Sequence, residues 1–168
     1  MKRFLLAALL AVPASLASAA SFDLTQMNVQ PTASYKLGGT DNKVYIVETY
    51  FNACPFCNDN APSVNELNLE FADTPSIALV ALSRDTRPAD FRSWISRHQP
   101  NHPVLKDGDR SSGAQFLDSY RVDGFPTTFI LDCNLEVLYR DVGRWDRTAY
   151  ETIKAKALAA TERTCRAR

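Results

Sequence analysis

Residues 43–57 read KVYIVETYFNACPFC, and the order of residue types in this stretch decides the fold. Lys43 to Phe51 is dense in β-branched and aromatic side chains, which fit a pleated, buried surface, so it reads as a strand. Cys54-Pro55-Phe56-Cys57 follows at once, and a helical pattern starts at about Pro55 and runs to Phe71, with Val64, Leu67 and Phe71 on one face. A strand that delivers Cys-x-x-Cys to the first turn of a helix has a chemical use. The unpaired amides and macrodipole of a helix N-terminus favour a thiolate on the first cysteine. A two-residue spacer then lets the second thiol attack a mixed disulfide formed on the first. Pro55 suits the first helical turn, where its missing N–H is not needed.

Working outward, Ile77 to Leu82 (IALVAL) is continuously apolar, as a strand covered on both faces should be. Phe91, Trp94, Ile95 and His98 fall at helical spacing within a segment from Pro88 to His98, closed by Pro100 and Pro103. Val104-Leu105 reads as a short strand and Ser112 to Tyr120 as a short helix. Thr127 to Leu131 and Leu135 to Val142 flank a turn at Asp132-Cys133-Asn134 and read as an antiparallel hairpin. A last helix from Asp146 to Glu162 places Tyr150, Ile153 and Ala157 on one side. Strand–helix–strand–helix followed by hairpin and helix is an α/β domain with a mixed central sheet flanked by helices.

The chain's beginning reads as an address. Lys2 and Arg3 precede an apolar run from Phe4 to Val12, Pro13 breaks it, and Ala17-Ser18-Ala19 offers small residues for cleavage. Residues 1–19 are therefore expected to be a signal peptide and residues 20–168 one mature domain. The apolar run is too short to span a bilayer, so no membrane anchor is expected. The whole chain carries 19 basic and 19 acidic residues, and losing Lys2 and Arg3 leaves a net charge of about −2. That balance argues against a nucleic-acid partner. All four cysteines (54, 57, 133 and 165) lie in the mature part, an even count that suggests two pairs in an oxidising compartment. The strand after the Cys133 turn spans about 26 Å at 3.3 Å per residue. The returning helix covers about 24 Å at 1.5 Å per residue. Cys165 therefore comes back beside Cys133, and a structural disulfide between them is expected.

With these motifs in place, the sequence resembles the thioredoxin superfamily, and within it the exported thioredoxin-like proteins of the TlpA/ResA type. VETYFNACPFC is similar to that family's strand entering the active site, and Pro62 to the proline that kinks its first helix. Gly124-Phe125-Pro126-Thr127-Thr128 resembles the cis-proline loop, and the segment between Leu82 and Gly124 resembles the insert of this branch. The resemblance implies a thiol–disulfide oxidoreductase acting outside the cytoplasm, in the periplasm or an equivalent compartment. Cys54 would attack and Cys57 resolve. Phe125 and Pro126, with Pro55 and Phe56, would meet the substrate chain. Partners would be protein thiols and disulfides, apocytochrome c among them, with a membrane thiol reductase as electron donor. No cofactor is expected, and a monomer suffices.

Ala53 stands where the family has a tryptophan, and Asn60 where this branch often has an acid. Glu48, six residues before Cys54, resembles the buried acid of thioredoxin that relays a proton to the second cysteine; burial would raise its pKa toward a useful range. A peroxiredoxin reading fails because Phe51 occupies the place of the threonine in Thr-x-x-Cys. A zinc site would need two further ligands, and Cys133 and Cys165 lie far apart with no second Cys-x-x-Cys. His98 and His102 read as a helix-end and a loop histidine rather than metal ligands, and Trp94 and Trp145 as packing residues. Two alternatives stay open: a periplasmic oxidase of DsbA-like activity, and a Sco-type copper chaperone that would use His102.

Overall fold

The computed structural model describes residues 21–39, 41–107 and 115–163; the expected signal peptide and Cys165 lie outside the described residues. β1 (Ser21–Gln26) and β2 (Ala33–Gly38) form an antiparallel hairpin, and β3 (Val44–Tyr50) leads into α1 (Pro55–Glu70). β4 (Ile77–Ser83), α2 (Pro88–His98), β5 (Val104–Lys106) and α3 (Phe116–Ser119) follow. β6 (Thr127–Leu131), β7 (Val137–Val142) and α4 (Arg147–Arg163) complete the described chain.

The seven strands form one sheet in the order β2-β1-β5-β4-β3-β6-β7. β3, β4 and β5 are parallel, as helical crossovers require, while β6 runs antiparallel to β3 and β7 antiparallel to β6. Period-two alternation divides the buried side chains of the central strands between the two faces. Val44, Ile46, Leu79 and Ile130 face Val64 and Leu67 of α1 and Tyr150, Ile153 and Ala157 of α4. Tyr45, Val47, Val80, Leu82, Phe129 and Leu131 face away from them, toward Phe116 of α3. Beyond the end of the first cluster, Tyr50, Ala81, Phe91 and Trp94 pack around the two cysteines of the motif. Trp94 stacks on Tyr50 at 4.0 Å between ring centroids, a contact worth about 0.5–1.5 kcal/mol beyond its burial. α2 is thereby fixed against the C-terminal end of β3.

The strands and helices from Lys43 onward fall close to their expected positions. Two differences have physical causes. The hairpin β1–β2 has no counterpart in the sequence reading, because half of its strand residues are exposed and the strands gain order by pairing with each other and with β5. β7 starts at Val137 rather than Leu135, because Leu135 takes a left-handed φ of 63° in a turn organised by Asp132. The Asp132 carboxylate accepts from the amides of Asn134 at 2.9 Å and Glu136 at 2.7 Å, and the strand begins after them. α3 is shorter than expected, and the expected start at Ser112 lies outside the described residues.

Candidate active site

The C-terminal end of β3 and the N-terminus of α1 build the site. After Tyr50 the chain turns, with the Cys54 amide donating to the Phe51 carbonyl at 3.1 Å. Cys54 is the N-cap of α1, in extended conformation, and its Sγ accepts from the Cys57 amide at 3.1 Å. A thiolate on Cys54 would therefore be met by an unpaired helix amide and the positive end of the macrodipole. Cys54 and Cys57 are joined as a disulfide with an S–S distance of 2.07 Å. Both cysteines are buried, while Pro55 and Phe56 stand out from the surface, Phe56 with 54% of its area exposed. The motif is thus covered by its own spacer, with Phe56 the exposed apolar side chain at its surface.

Facing it is the loop before β6. The Phe125–Pro126 bond is cis, and the loop is tied to β3 by reciprocal bonds between Thr49 and Thr127. Thr49 Oγ1 donates to the Thr127 carbonyl at 3.0 Å and accepts from the Thr127 amide at 3.1 Å. The Phe125 ring meets Phe51 edge-on at 5.5 Å, and the Arg84 guanidinium lies 5.7 Å from its centroid. Gly124 packs so closely that an added Cβ would come within 3.1 Å of Val142. Phe125 is partly buried against the cluster that holds Cys54 and Cys57.

Glu48 lies between Ala81 and Thr128 in the sheet and is 1% exposed. Burial pushes its carboxyl up to about 8, partly offset by a hydrogen bond from Asn60 Nδ2 at 3.2 Å. Asn60, one turn after Cys57, is itself buried. Glu48 lines a small internal space that it shares with Ala61, Trp94, His98 and His102. His102 is held by burial at about 4 and is therefore neutral near pH 7. Its Nδ1 lies 3.3 Å from Asn101 Oδ1. Among the described residues no group of three or more His, Cys, Asp or Glu is placed to hold a metal ion.

The sequence reading missed a polar brace around the motif. Asn58 Nδ2 donates to the carbonyls of Cys54 at 2.6 Å and Asn52 at 3.2 Å. Asn58 Oδ1 in turn meets Arg97 Nη1 at 2.5 Å and His98 Nε2 at 2.8 Å, both from the end of α2. The Asn52 amide donates to Asp85 at 2.7 Å. A positive group therefore does reach the turn after Cys54, from a helix some forty residues away in sequence. Only the amphipathic phase of α2 hinted at it. Trp145 is buried as expected, with Nε1 donating to Thr128 Oγ1 at 2.9 Å.

Comparison with known proteins agrees with this architecture. The sequence matches the AhpC/TSA family over residues 17–140. No curated protein matches the chain. Among solved structures, one described as a candidate thiol:disulfide interchange protein DsbE from Chlorobium tepidum superposes with a TM-score of 0.70 at 22% identity, covering 86% of this chain and 95% of that one. StoA from Bacillus subtilis gives 0.66 at 16% identity, with coverage of 82% and 96%. A secreted Mycobacterium tuberculosis disulfide oxidoreductase homologous to E. coli DsbE gives 0.60 at 18%, covering 82% and 95%. At these identities the likeness shows the fold, which is thioredoxin-like. Among the described residues no helix is long and apolar enough to cross a membrane.

Proposed function

The chain belongs to the AhpC/TSA family, and we propose that it is an exported thiol–disulfide oxidoreductase that reduces or exchanges disulfides in other exported proteins. One observation carries the reading: Cys54 caps α1 with its own sulfur, on the Cys57 amide, beside the Phe125–Pro126 loop. Peroxide reduction is not favoured, because Phe51 stands where a peroxidatic site has threonine.

In the reduced protein the Cys54 thiolate attacks one sulfur of a substrate disulfide, and the other substrate sulfur leaves as a thiolate. Cys57 then loses its proton to the Glu48 carboxylate and attacks Cys54 Sγ. The mixed disulfide breaks and the second substrate thiolate departs, taking up a proton from solvent. The substrate gains two electrons and the protein returns to the Cys54–Cys57 disulfide. A carboxyl with a pKa of about 8 exchanges protons readily near neutrality. Phe125 and Pro126 offer main-chain contacts to the substrate segment, and exposed Pro55 and Phe56 offer it apolar surface. An open groove of about 700 Å3, bordered by Phe125, Arg84, Asp85 and Asp118, continues from this loop and gives the segment room.

Electrons come from a membrane thiol reductase, and the resemblance to exported TlpA/ResA-type proteins supports a role in cytochrome c maturation. Residues 1–19 direct export, and Cys133 and Cys165 form a structural disulfide. Trapping tests the main reading. A Cys57→Ala variant should accumulate mixed disulfides on Cys54 with exported thiol proteins, and a Cys54→Ala variant should accumulate none. Absence of Cys54 adducts in the first variant would refute the function.

A further inference from the structure

We propose that Asn60 is a positioning residue for the redox reaction: its side-chain amide fixes the orientation of the Glu48 carboxyl and favours that group's ionised form. The proposal rests on the reading of Glu48 as the proton acceptor for Cys57.

The two ends of the Asn60 amide have different partners. Oδ1 accepts from the Trp145 main-chain amide at 2.8 Å. That partner is a donor, so it dictates which end of the amide is oxygen, and the NH2 group must point the other way. Nδ2 accordingly reaches Glu48 Oε1 at 3.2 Å and the Gly143 carbonyl at 3.4 Å. The loop leading into α4 thus sets the amide, and the amide sets the carboxyl. Among the described residues Asn60 is the hydrogen-bond partner of the Glu48 side chain, and a donor to a carboxylate favours its charged form.

The other titratable groups near Glu48 do not supply that stabilisation. His98 of α2 and His102 of the following loop share its internal space, and burial disfavours the charged form of both. Tyr50, two residues along β3, is held neutral by burial. The strands on either side contribute Ala81 and Thr128, which carry no charge. Asp59 of α1 and Arg144 of the α4 loop pair with each other at 3.7 Å, and both are substantially exposed. Asn60 is left to counter the desolvation of a buried carboxylate.

Two NMR titrations of the full-length oxidised protein, between pH 5 and 10, test this. In the wild type the Asn60 side-chain amide should shift with the same midpoint as the Glu48 carboxyl carbon, and the shift should vanish in Glu48→Gln. Asn60→Asp keeps an acceptor for the Trp145 amide but turns the donor facing Glu48 into a carboxyl. It should raise the Glu48 midpoint by about one pH unit or more, a tenfold change in proton affinity, and move the pH–rate profile of disulfide reduction with it. An Asn60 amide that stays silent while Glu48 titrates would overturn the proposal, and this measurement needs no variant. An unmoved Glu48 midpoint in Asn60→Asp would overturn it too. A Glu48→Gln variant with the wild-type pH–rate profile would instead overturn the relay on which it rests.

Discussion

Asn58 holds the main-chain carbonyl of Cys54 twice, through its own amide at 3.1 Å and through its side-chain Nδ2 at 2.6 Å. The helix bond and the side-chain bond converge on one oxygen, so Cys54 is fixed at the mouth of α1. The same Asn58 side chain accepts from Arg97, and the brace therefore brings a cation to the motif without placing it in the motif. Five expectations follow from this arrangement and from the groups buried beneath it.

Cys54 should be the reactive thiol. Its sulfur sits on the Cys57 amide at the helix N-terminus, whereas Cys57 lies inside the first turn. Alkylation of the reduced protein at mildly acidic pH, read by peptide mass, should label Cys54 well before Cys57. Equal labelling would contradict the assignment.

The reduction potential should lie nearer thioredoxin's value of about −270 mV than the value of about −120 mV of a strong oxidant. No histidine stands between the cysteines, and Arg97 acts across an exposed amide, where charges count for little. Arg97→Ala removes a group that favours the thiolate, so the potential should become more negative by about 10–20 mV. Equilibration with glutathione measures both. A wild-type value above roughly −150 mV would identify an oxidase instead.

Replacing Glu48 with Gln should stabilise the oxidised protein in alkaline solution. The folded carboxyl ionises at about 8, above its ordinary 4.5, so the folded state keeps a proton that the unfolded chain releases. Its contribution is complete below pH 4.5 and is lost as pH rises through about 8. Denaturant unfolding should therefore show Glu48→Gln gaining on the wild type from pH 5 to 9, reaching about 3–5 kcal/mol. A gap that does not vary with pH would refute this account.

His102 has the opposite sign. Its folded pKa of about 4 lies below the ordinary 6.5, so the unfolded chain takes up a proton first as pH falls. The stability this group lends is present above pH 6.5 and is lost as pH drops toward 4, by about 3 kcal/mol in all. His102→Gln should flatten the acid limb of the stability curve between pH 6.5 and 4. An unchanged limb would show that other groups drive acid unfolding.

Digestion of the protein under non-reducing conditions should release a peptide pair joined through Cys133 and Cys165. Reduction should separate it. Closing this loop stabilises the fold by about 3–4 kcal/mol on the chain-entropy model, so Cys165→Ser should lower thermal stability. Recovery of both cysteines as free thiols from the oxidised protein would exclude the pair.

Much of this molecule is decided within short stretches of its sequence. The apolar run of β4, the amphipathic phase of α2 between its bounding prolines and the alternation entering Cys54-Pro55-Phe56-Cys57 each depend on neighbours a few residues away. Propensity and periodicity report on that range. The same locality puts Cys54 at the N-terminus of a helix. It also marked Glu48 as an acid out of place in an apolar strand. What the tertiary structure alone decided are meetings of residues far apart in sequence. The sheet pairs β1 with β5, α2 carries Arg97 and His98 onto Asn58, and the α4 loop sets the Asn60 amide through Trp145. These contacts form because the whole core closes around them. Asn60 reads in sequence as a neutral departure from an acid. Only the closed core buries it between Glu48 and Trp145, where its amide meets a buried carboxyl.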